Sequence, residues 1–180
     1  IKMYCFYWRK RLMRVPLNFK KWIDNNRNLL KPPVCNKVVW EDSDFIIMVV
    51  GGPNTRKDYH IDEGEEFFYQ IEGDMILKII KENKPENIEI KEGEIFLLPP
   101  LVPHSPQRFE TTVGLVIERK RTADELDGFQ WYCDNCNNLL YEHFFHLENI
   151  VTQLPVIFEN FWNNDKYRTC DNCGDYLEKP

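Results

Sequence analysis

The 180-residue sequence predicts a mainly β protein, a barrel or a sandwich, with a short helix near its N-terminus and a small helical tail. Short apolar or alternating segments recur between turn signals, at intervals of about 8–12 residues, which is typical of all-β folds. The strand-like segments do not alternate with helical ones, so we do not expect a parallel α/β sheet.

Composition and net charge indicate a folded protein and argue against some kinds of partner. A hydrophobic content of 43% and an aromatic content of 14% indicate a folded chain with one core and an appendage. The net charge of -6 argues against a nucleic acid or an anionic membrane as a partner. No apolar run approaches the length of a membrane span, and the absence of a secretory signal favours the cytoplasm.

We expect three regions along the chain. Residues 1–12 are interpreted as a leader or a misassigned start, because an aromatic patch precedes the basic residues, the reverse of a secretory signal. Residues 13–121 are expected to form the barrel with its N-terminal helix. Residues 122–180 are expected to form the tail, which begins with a polar, linker-like segment over 122–128.

Local signals place the first helix and several turns. Asn18 is a suitable N-cap, and apolar residues at helical spacing follow it until two prolines end the helix. Asn36 is then expected in a loop. Another turn is predicted at Pro85 and Asn87, and Pro155 is expected to interrupt the helical pattern of the tail.

The central strands place polar side chains on shared faces, because side chains alternate across a strand. If the face that carries Glu118 is the interior, a carboxylate lies there beside small residues and leaves room for a ligand. The residues expected to share a face form three sets: Arg56, Asp58 and His60; Glu66, Phe68 and Gln70; Gly114, Val116 and Glu118.

Three residues have the spacing and chemistry of metal ligands: His60, Glu66 and His104. Two imidazoles and one carboxylate, without a thiolate, form a facial triad that suits non-haem Fe(II) and leaves coordination positions open. The spacings H-x5-E and G-x5-P-x4-H resemble the two motifs of the cupin family, whose small β-barrel holds a metal inside. The sequence departs from the usual cupin pattern at Asp62, where a second His is common, and at Arg108, where Asn often stands.

Four cysteines form two CxxC pairs near the C-terminus: Cys133 with Cys136, and Cys170 with Cys173. In a cytosolic chain such pairs indicate a metal site rather than disulfides. Four thiolates satisfy a tetrahedral iron or zinc ion, so His143 and His146 between the pairs are not needed as ligands. We expect this closed site to be structural and to stabilise a tail too small for its own core.

Longer strings resemble one family more closely: GGPNTRKDYH, EEFFYQ, LLPPLVPHSPQR, LVIER and WYCDNC…RTCDNCG. Together they resemble 3-hydroxyanthranilate 3,4-dioxygenase of the bacterial and fungal type. The resemblance implies cleavage of the 3-hydroxyanthranilate ring by O2 at Fe(II), on the kynurenine route to quinolinate and NAD. It also implies a rubredoxin-like cysteine site and a homodimer.

The same resemblance implies a role for each matched residue. His60, Glu66 and His104 would bind iron, Arg56 and Arg108 would bind the substrate carboxylate, Glu118 would contact the hydroxyl and amine, and Asn36 would help to close over the substrate. Glu118 would also suit a general base that accepts a proton as the substrate binds.

Several alternatives stay open from the sequence. The protein could be a different metal-dependent cupin enzyme, or a non-catalytic cupin that senses a ligand. Arg56 and Arg108 could be solvated residues at the rim, and Glu118 could pair with Arg119 or Arg121 on the surface. Asp58 could hydrogen-bond to His60 and orient it, or merely face solvent.

Overall fold

A computed structural model describes residues 13–32, 35–148 and 150–180. The predicted leader, residues 1–12, lies outside the described residues. The helices are α1 (Phe19–Asn26), α2 (Ile150–Trp162) and α3 (Asp165–Arg168), with a 3-10 turn at Arg27–Leu29. The strands are β1 (Asn36–Val38), β2 (Phe45–Gly51), β3 (Asp58–Ile61), β4 (Glu66–Glu72), β5 (Met75–Lys81), β6 (Lys84–Ile90), β7 (Ile95–Leu98), β8 (His104–Arg108), β9 (Val113–Arg119), β10 (Asp127–Tyr132) and β11 (Leu139–Phe145).

The strands form two antiparallel sheets, which confirms the predicted all-β class. The five-stranded sheet has the order β1-β2-β9-β4-β7, and the six-stranded sheet has the order β11-β10-β3-β8-β5-β6. Apolar side chains from both sheets meet in one core that includes Phe68, Leu77, Ile79 and Val116. This double-sheet arrangement is that of a jelly roll, in which inward-facing residues alternate with outward-facing ones.

The N-terminal helix forms as predicted and covers part of the five-stranded sheet. The Asn18 side chain accepts a hydrogen bond from the Lys21 N–H and so caps α1. Ile23 of this helix is buried in a cluster with Val49 and Val113 of the sheet. Asn36 is not in a loop, because it begins β1 and pairs with Val50, so the prediction for its backbone was wrong.

The turn predicted at Pro85 and Asn87 is also wrong, since both residues belong to β6. The chain instead reverses at Glu82 and Asn83, whose φ angles of 50° and 60° suit a two-residue hairpin. β6 lies at the edge of its sheet, where the missing N–H of a proline costs little.

The tail is built onto the barrel. β10 pairs with β3, so the six-stranded sheet continues across the predicted boundary between residues 121 and 122. Trp131 of β10 stacks on Phe161 of α2, with ring centroids 4.4 Å apart, in a second apolar core. Pro155 lies inside α2 and does not interrupt it, contrary to the prediction. Among the described residues, no helix is long and apolar enough to cross a lipid bilayer.

Candidate active site

Both sheets contribute to a cluster of potential metal ligands. His60 of β3 lies directly opposite His104 of β8 in the six-stranded sheet. Glu66 begins β4 in the other sheet, and its side chain reaches the same point between the sheets. One ligand atom from each of the three residues lies within 4.8 Å of the others. The fold therefore brings together the triad that the sequence predicts.

Each histidine makes a hydrogen bond through one ring nitrogen, which leaves the other nitrogen available. His104 Nδ1 donates to the Val102 carbonyl over 3.0 Å, which leaves Nε2 as an acceptor. His60 Nε2 lies 2.7 Å from Asp127 Oδ1, so the partner of His60 is Asp127. The alternative that Asp58 orients His60 is wrong, because Asp58 is hydrogen-bonded to Arg56. Such partners fix the tautomer of a metal-binding imidazole.

The environment of Glu66 fits a bound cation. Glu66 is buried, and its Oε2 atom has no hydrogen-bond partner among the described residues. This oxygen lies 2.7 Å from His104 Nε2. With the proton of His104 on Nδ1, both atoms direct lone pairs at the same region, which a metal ion would satisfy. Burial lowers the pKa of His104 and the Glu66 charge raises it, with a net upward shift, so a proton competes with a metal here.

Arg108 is a buried cation without a carboxylate partner among the described residues. Its side chain is 3% exposed, and its Nη1 donates to Gln70 Oε1 over 3.2 Å. Its Nε has no hydrogen-bond partner among the described atoms. Burial lowers the pKa of Arg108 to about 10. A buried charge of this kind is costly unless an anion joins it, so the site is suited to bind an anion.

Gly114 makes room for this guanidinium. A Cβ atom at this position would lie 2.5 Å from Arg108 Nη1 and 2.8 Å from Gln70 Oε1. The face shared by Gly114, Val116 and Glu118 is therefore the interior face, as the sequence analysis assumed.

Arg56 differs from Arg108 because it already has a partner. Its guanidinium forms an ion pair with Asp58. Burial lowers the pKa of Arg56, but the charges of Asp58 and Glu66 outweigh it and the net shift is upward. Arg56 is thus held by Asp58 although its side chain is 30% exposed, and Arg108 has the greater unused capacity to bind an anion.

Glu118 lies directly across the β4–β9 ladder from Glu66. It does pair with Arg121, since Oε2 lies 2.8 Å from Arg121 Nη1, but the side chains of Arg121 and Glu118 are only 11% and 9% exposed, so the surface alternative is wrong. Burial and the nearby charges of Glu66 and Asp62 raise the pKa of Glu118 to about 8, against the opposing effect of Arg121. A carboxylate with such a pKa can exchange a proton near neutrality.

Asn36 is exposed at the edge of the five-stranded sheet. It pairs with Val50, which pairs with Gly114, which in turn pairs with Gln70. Residues opposite each other in a ladder share a face, so Asn36 shares the face of the Gln70 side chain that binds Arg108. Neighbouring strands are about 4.8 Å apart, which puts Asn36 roughly 10 Å from Gly114.

The four tail cysteines meet as predicted. Cys133 Sγ lies 3.6 Å from Cys173 Sγ, and Cys136 Sγ lies 3.5 Å from Cys170 Sγ. All four sulfur atoms lie within 4.8 Å of one another. A tetrahedral ion with metal–sulfur bonds of about 2.3 Å requires sulfur atoms roughly 3.8 Å apart, so the cluster fits such an ion.

The two CxxC segments also fold alike. The N–H of Asn137 donates to the Cys133 carbonyl, and the N–H of Gly174 donates to the Cys170 carbonyl. Asn137 and Gly174 have φ angles of 60° and 75°, which allow each loop to turn back on its first cysteine. The predicted exclusion of His146 as a ligand agrees with its hydrogen bond to the Glu125 carbonyl.

A double-sheet antiparallel barrel with two histidines and one glutamate meeting between its sheets defines a metal-dependent protein of the cupin class. A family model described as 3-hydroxyanthranilic acid dioxygenase matches residues 12–162. The chain belongs to this family.

Curated relatives cover almost the whole chain. The chain is 55% identical over 165 residues to 3-hydroxyanthranilate 3,4-dioxygenase of Xanthomonas euvesicatoria pv. vesicatoria (strain 85-10), covering 92% of this chain and 93% of the relative. It is 53% identical over 160 residues to the protein of the same name from Paraburkholderia phytofirmans, covering 88% and 92%. Among solved structures, a cupin-2 domain containing protein from Shewanella frigidimarina has 21% identity and a TM-score of 0.47, over 58% of this chain and 94% of that one.

Proposed function

We propose that this protein is an Fe(II)-dependent dioxygenase that converts 3-hydroxyanthranilate and O2 to 2-amino-3-carboxymuconate semialdehyde. This reaction belongs to the kynurenine route from tryptophan to quinolinate and NAD. The observation that carries the proposal is the buried Arg108, without a carboxylate partner among the described residues, on the strand that begins with His104. Such a site calls for a ligand that is both an anion and a chelator, and 3-hydroxyanthranilate is both.

In this proposal the chain's own residues orient the substrate. The guanidiniums of Arg108 and Arg56 bind the carboxylate through charge-assisted hydrogen bonds. The adjacent hydroxyl and amine then face the triad of His60, Glu66 and His104, which holds Fe(II). Iron, when bound, supplies the centre at which the aminophenol and O2 meet and exchange electrons. Asn36, exposed at the edge of the sheet, helps to close over the ring.

Glu118 accepts a proton from the substrate in this scheme. The substrate hydroxyl must lose its proton to chelate a metal well, and the buried carboxylate of Glu118 can accept it. Arg121 beside Glu118 favours the ionised form and so opposes the upward pKa shift that burial and Glu66 cause. Burial of Glu66, Arg108 and Glu118 keeps bulk water away from these groups and strengthens their electrostatic interactions.

The test is anaerobic loading with Fe(II), followed by measurement of O2 uptake and of ring-opened product with 3-hydroxyanthranilate. We expect one O2 consumed for each ring opened. The matched control is 2-aminophenol, which keeps the chelating pair but lacks the carboxylate, and we expect it to react poorly. No O2 uptake by the iron-loaded protein would exclude the function; tight binding without turnover would favour a sensor, and turnover of another substrate would favour a different cupin enzyme.

Glu118→Gln is expected to leave anaerobic substrate binding close to normal and to slow turnover. Glutamine has nearly the same shape, but it cannot accept the proton. The measurement compares the dissociation constant of the substrate with the single-turnover rate of the same iron-loaded protein. If the rate is unaffected, the role of Glu118 as proton acceptor is wrong.

We also expect Glu118→Gln to change how the stability of the metal-free protein depends on pH. The folded-state pKa of Glu118, about 8, lies well above the ordinary value of a glutamate side chain. Protonated Glu118 therefore stabilises the fold at pH values below the pKa of this residue in the unfolded chain. This stabilisation is lost as the pH rises through the folded-state pKa. We expect the melting temperature of Glu118→Gln relative to the parent to increase from mildly acidic to mildly alkaline buffer. A difference that stays constant with pH would contradict the raised pKa.

We propose that the cysteine cluster holds a second iron or a zinc ion with a structural role. Cys170→Ser should lose this metal and lower the melting temperature, by about 2–4 °C for each kcal/mol lost in a chain of this size. Turnover per iron in the triad should stay near that of the parent under conditions in which the variant is folded, because a closed tetrahedral site has no open position for substrate. A large fall in this normalised rate would show that the cysteine site takes part in catalysis.

We also propose a homodimer in the cytoplasm, with a small molecule as the other partner. The outer face of the five-stranded sheet supports a second copy of the chain as a partner, because it leaves large apolar side chains exposed beyond the part that α1 covers. Phe45 is 53% exposed, Ile95 66% and Leu97 51%. Adjacent exposed apolar residues commonly mark an interface. Sedimentation analysis of the parent and of Leu97→Lys tests this: a monomeric parent would exclude the dimer.

A further inference from the structure

One buried arginine, Arg121, joins three carboxylates around the candidate active site. Its side chain is 11% exposed and lies between the end of β9 and the start of β10. Arg121 Nη2 lies 3.0 Å from Asp62 Oδ2 and 2.7 Å from Asp127 Oδ1. Arg121 Nη1 lies 2.8 Å from Glu118 Oε2. A single guanidinium thus partly balances three buried or nearly buried negative charges.

Arg121 and Asp127 form a bidentate pair of hydrogen bonds. Arg121 Nε donates to Asp127 Oδ2 over 3.0 Å, while Nη2 donates to Oδ1. Asp127 is fully buried, and its Oδ1 also accepts from His60 Nε2. Because Arg121 donates two hydrogen bonds to Asp127, this carboxylate acts as an acceptor toward His60 as well, so the proton of His60 lies on Nε2 and its Nδ1 remains free to bind a metal.

The contact between Arg121 and Glu118 is of a different kind. The two atoms are close, yet Arg121 Nη1 has no hydrogen-bond partner with suitable angles among the described residues. Glu118 is thus held mainly by charge attraction and less by a directed N–H bond. Its carboxylate keeps lone pairs available, as an acceptor of a substrate proton requires.

Asp62 completes this network and explains a departure from the cupin pattern. It stands where a second histidine ligand is common, but its Oδ2 accepts from Arg121 and its Oδ1 accepts from the Gly64 N–H over 2.5 Å. Although Asp62, Glu66 and Glu118 form a possible oxygen-rich metal site by distance, the Arg121 cation already contacts two of the three carboxylates. Asp62 is therefore an anchor for Arg121.

We propose that Arg121 is a positioning residue that couples the metal ligand to the proton acceptor: through Asp127 it fixes the tautomer of His60, and by its charge it places Glu118. The inference rests on the metal site of the proposed function but not on the identity of the substrate. Removal of a partner that orients a metal-binding histidine typically weakens metal affinity by roughly 10–100-fold.

The first test needs no variant. In zinc-loaded parent protein, 15N NMR of the histidines should show His60 protonated at Nε2 and bound to metal through Nδ1, and His104 with the opposite arrangement. Zinc is diamagnetic and does not support the dioxygenase reaction, so the result does not depend on turnover. If His60 instead binds zinc through Nε2, the hydrogen bond to Asp127 is broken in the loaded protein and the proposal is overturned.

The second test compares Arg121→Met, Arg121→Lys and the control Arg119→Gln. Arg119 is two residues away and pairs with Glu125 on the outside of the barrel. We expect both Arg121 variants to bind zinc at the triad roughly 10–100-fold more weakly and to lose the distinct His60 signal, because lysine keeps the charge but cannot form the two parallel hydrogen bonds to Asp127. Arg119→Gln should match the parent.

The outcomes separate this proposal from the proposed function. Parental zinc affinity and an unchanged His60 signal in folded Arg121→Lys would overturn the positioning role even if the parent cleaves 3-hydroxyanthranilate. Conversely, a parent that fails to cleave 3-hydroxyanthranilate but shows the expected zinc results would exclude the proposed substrate and leave the role of Arg121 intact.

Discussion

Glu66→Ala is expected to abolish turnover and to remove the metal from the barrel while the fold survives. The triad of His60, Glu66 and His104 provides three ligands and no spare, so loss of the only carboxylate leaves two neutral imidazoles. The fold should survive because the apolar core between the sheets is separate from the triad. His104→Ala should have the same effect. Iron content after dialysis, circular dichroism and single-turnover ring opening give the three readouts.

A matched control is available one residue away. Glu65 is exposed at the end of the loop before β4, so Glu65→Ala changes the charge by the same amount without touching the cluster. We expect parental iron content and rate for this variant. If Glu66→Ala keeps both full iron and full turnover, Glu66 is not a ligand and the assignment of the triad is wrong.

Arg108→Ala is expected to weaken binding of 3-hydroxyanthranilate much more than it disturbs iron. Loss of one partner of a buried charge pair costs about 2–5 kcal/mol, which corresponds to a loss in affinity of roughly thirtyfold or more. The structure strengthens this expectation, because the guanidinium is buried and its Nε has no partner among the described residues. Anaerobic titration of the iron-loaded protein measures the dissociation constant.

The ligand 2-aminophenol separates the charge interaction from general disruption of the pocket. It lacks the carboxylate, so the parent and Arg108→Ala should bind it with similar affinity. A variant that binds both ligands more weakly by the same factor has a disturbed pocket. An unchanged affinity for 3-hydroxyanthranilate would place Arg108 outside the substrate contacts.

Much of the barrel could be predicted because its pattern is local. Alternation along single strands put Glu66 with Gln70, and Gly114 with Glu118, on shared faces, and the structure confirms that these faces point inward. The wrong predictions concern residues whose strand pairing in the fold outweighs their local preference for a loop or a turn. Asn36 pairs with Val50 and so begins a strand, and Pro85 is tolerated because β6 is an edge.

The residues of the candidate site also fall into two groups, those that the sequence predicts and those that only the fold brings to the site. The metal triad and the cysteine cluster have fixed spacings and distinctive side chains, so motif spacing was enough to identify them. Asp127 and Arg121 carry no such signal, since Asp127 lies in a segment that reads as a polar linker and Arg121 directly precedes it. Their role depends on β10 pairing with β3, which carries Asp127 to His60 across 67 positions of sequence.

The sequence by itself determined the all-β class, the ligand types and the family, because residue chemistry, strand alternation and motif spacing are properties of short segments. Only the tertiary structure decided which charges are paired. It gave Arg56 a partner in Asp58, left Arg108 without a carboxylate partner among the described residues, and joined Arg121 to Glu118. The physical reason is that the cost of a buried charge depends on its neighbours in space, and these neighbours come from strands distant in the chain.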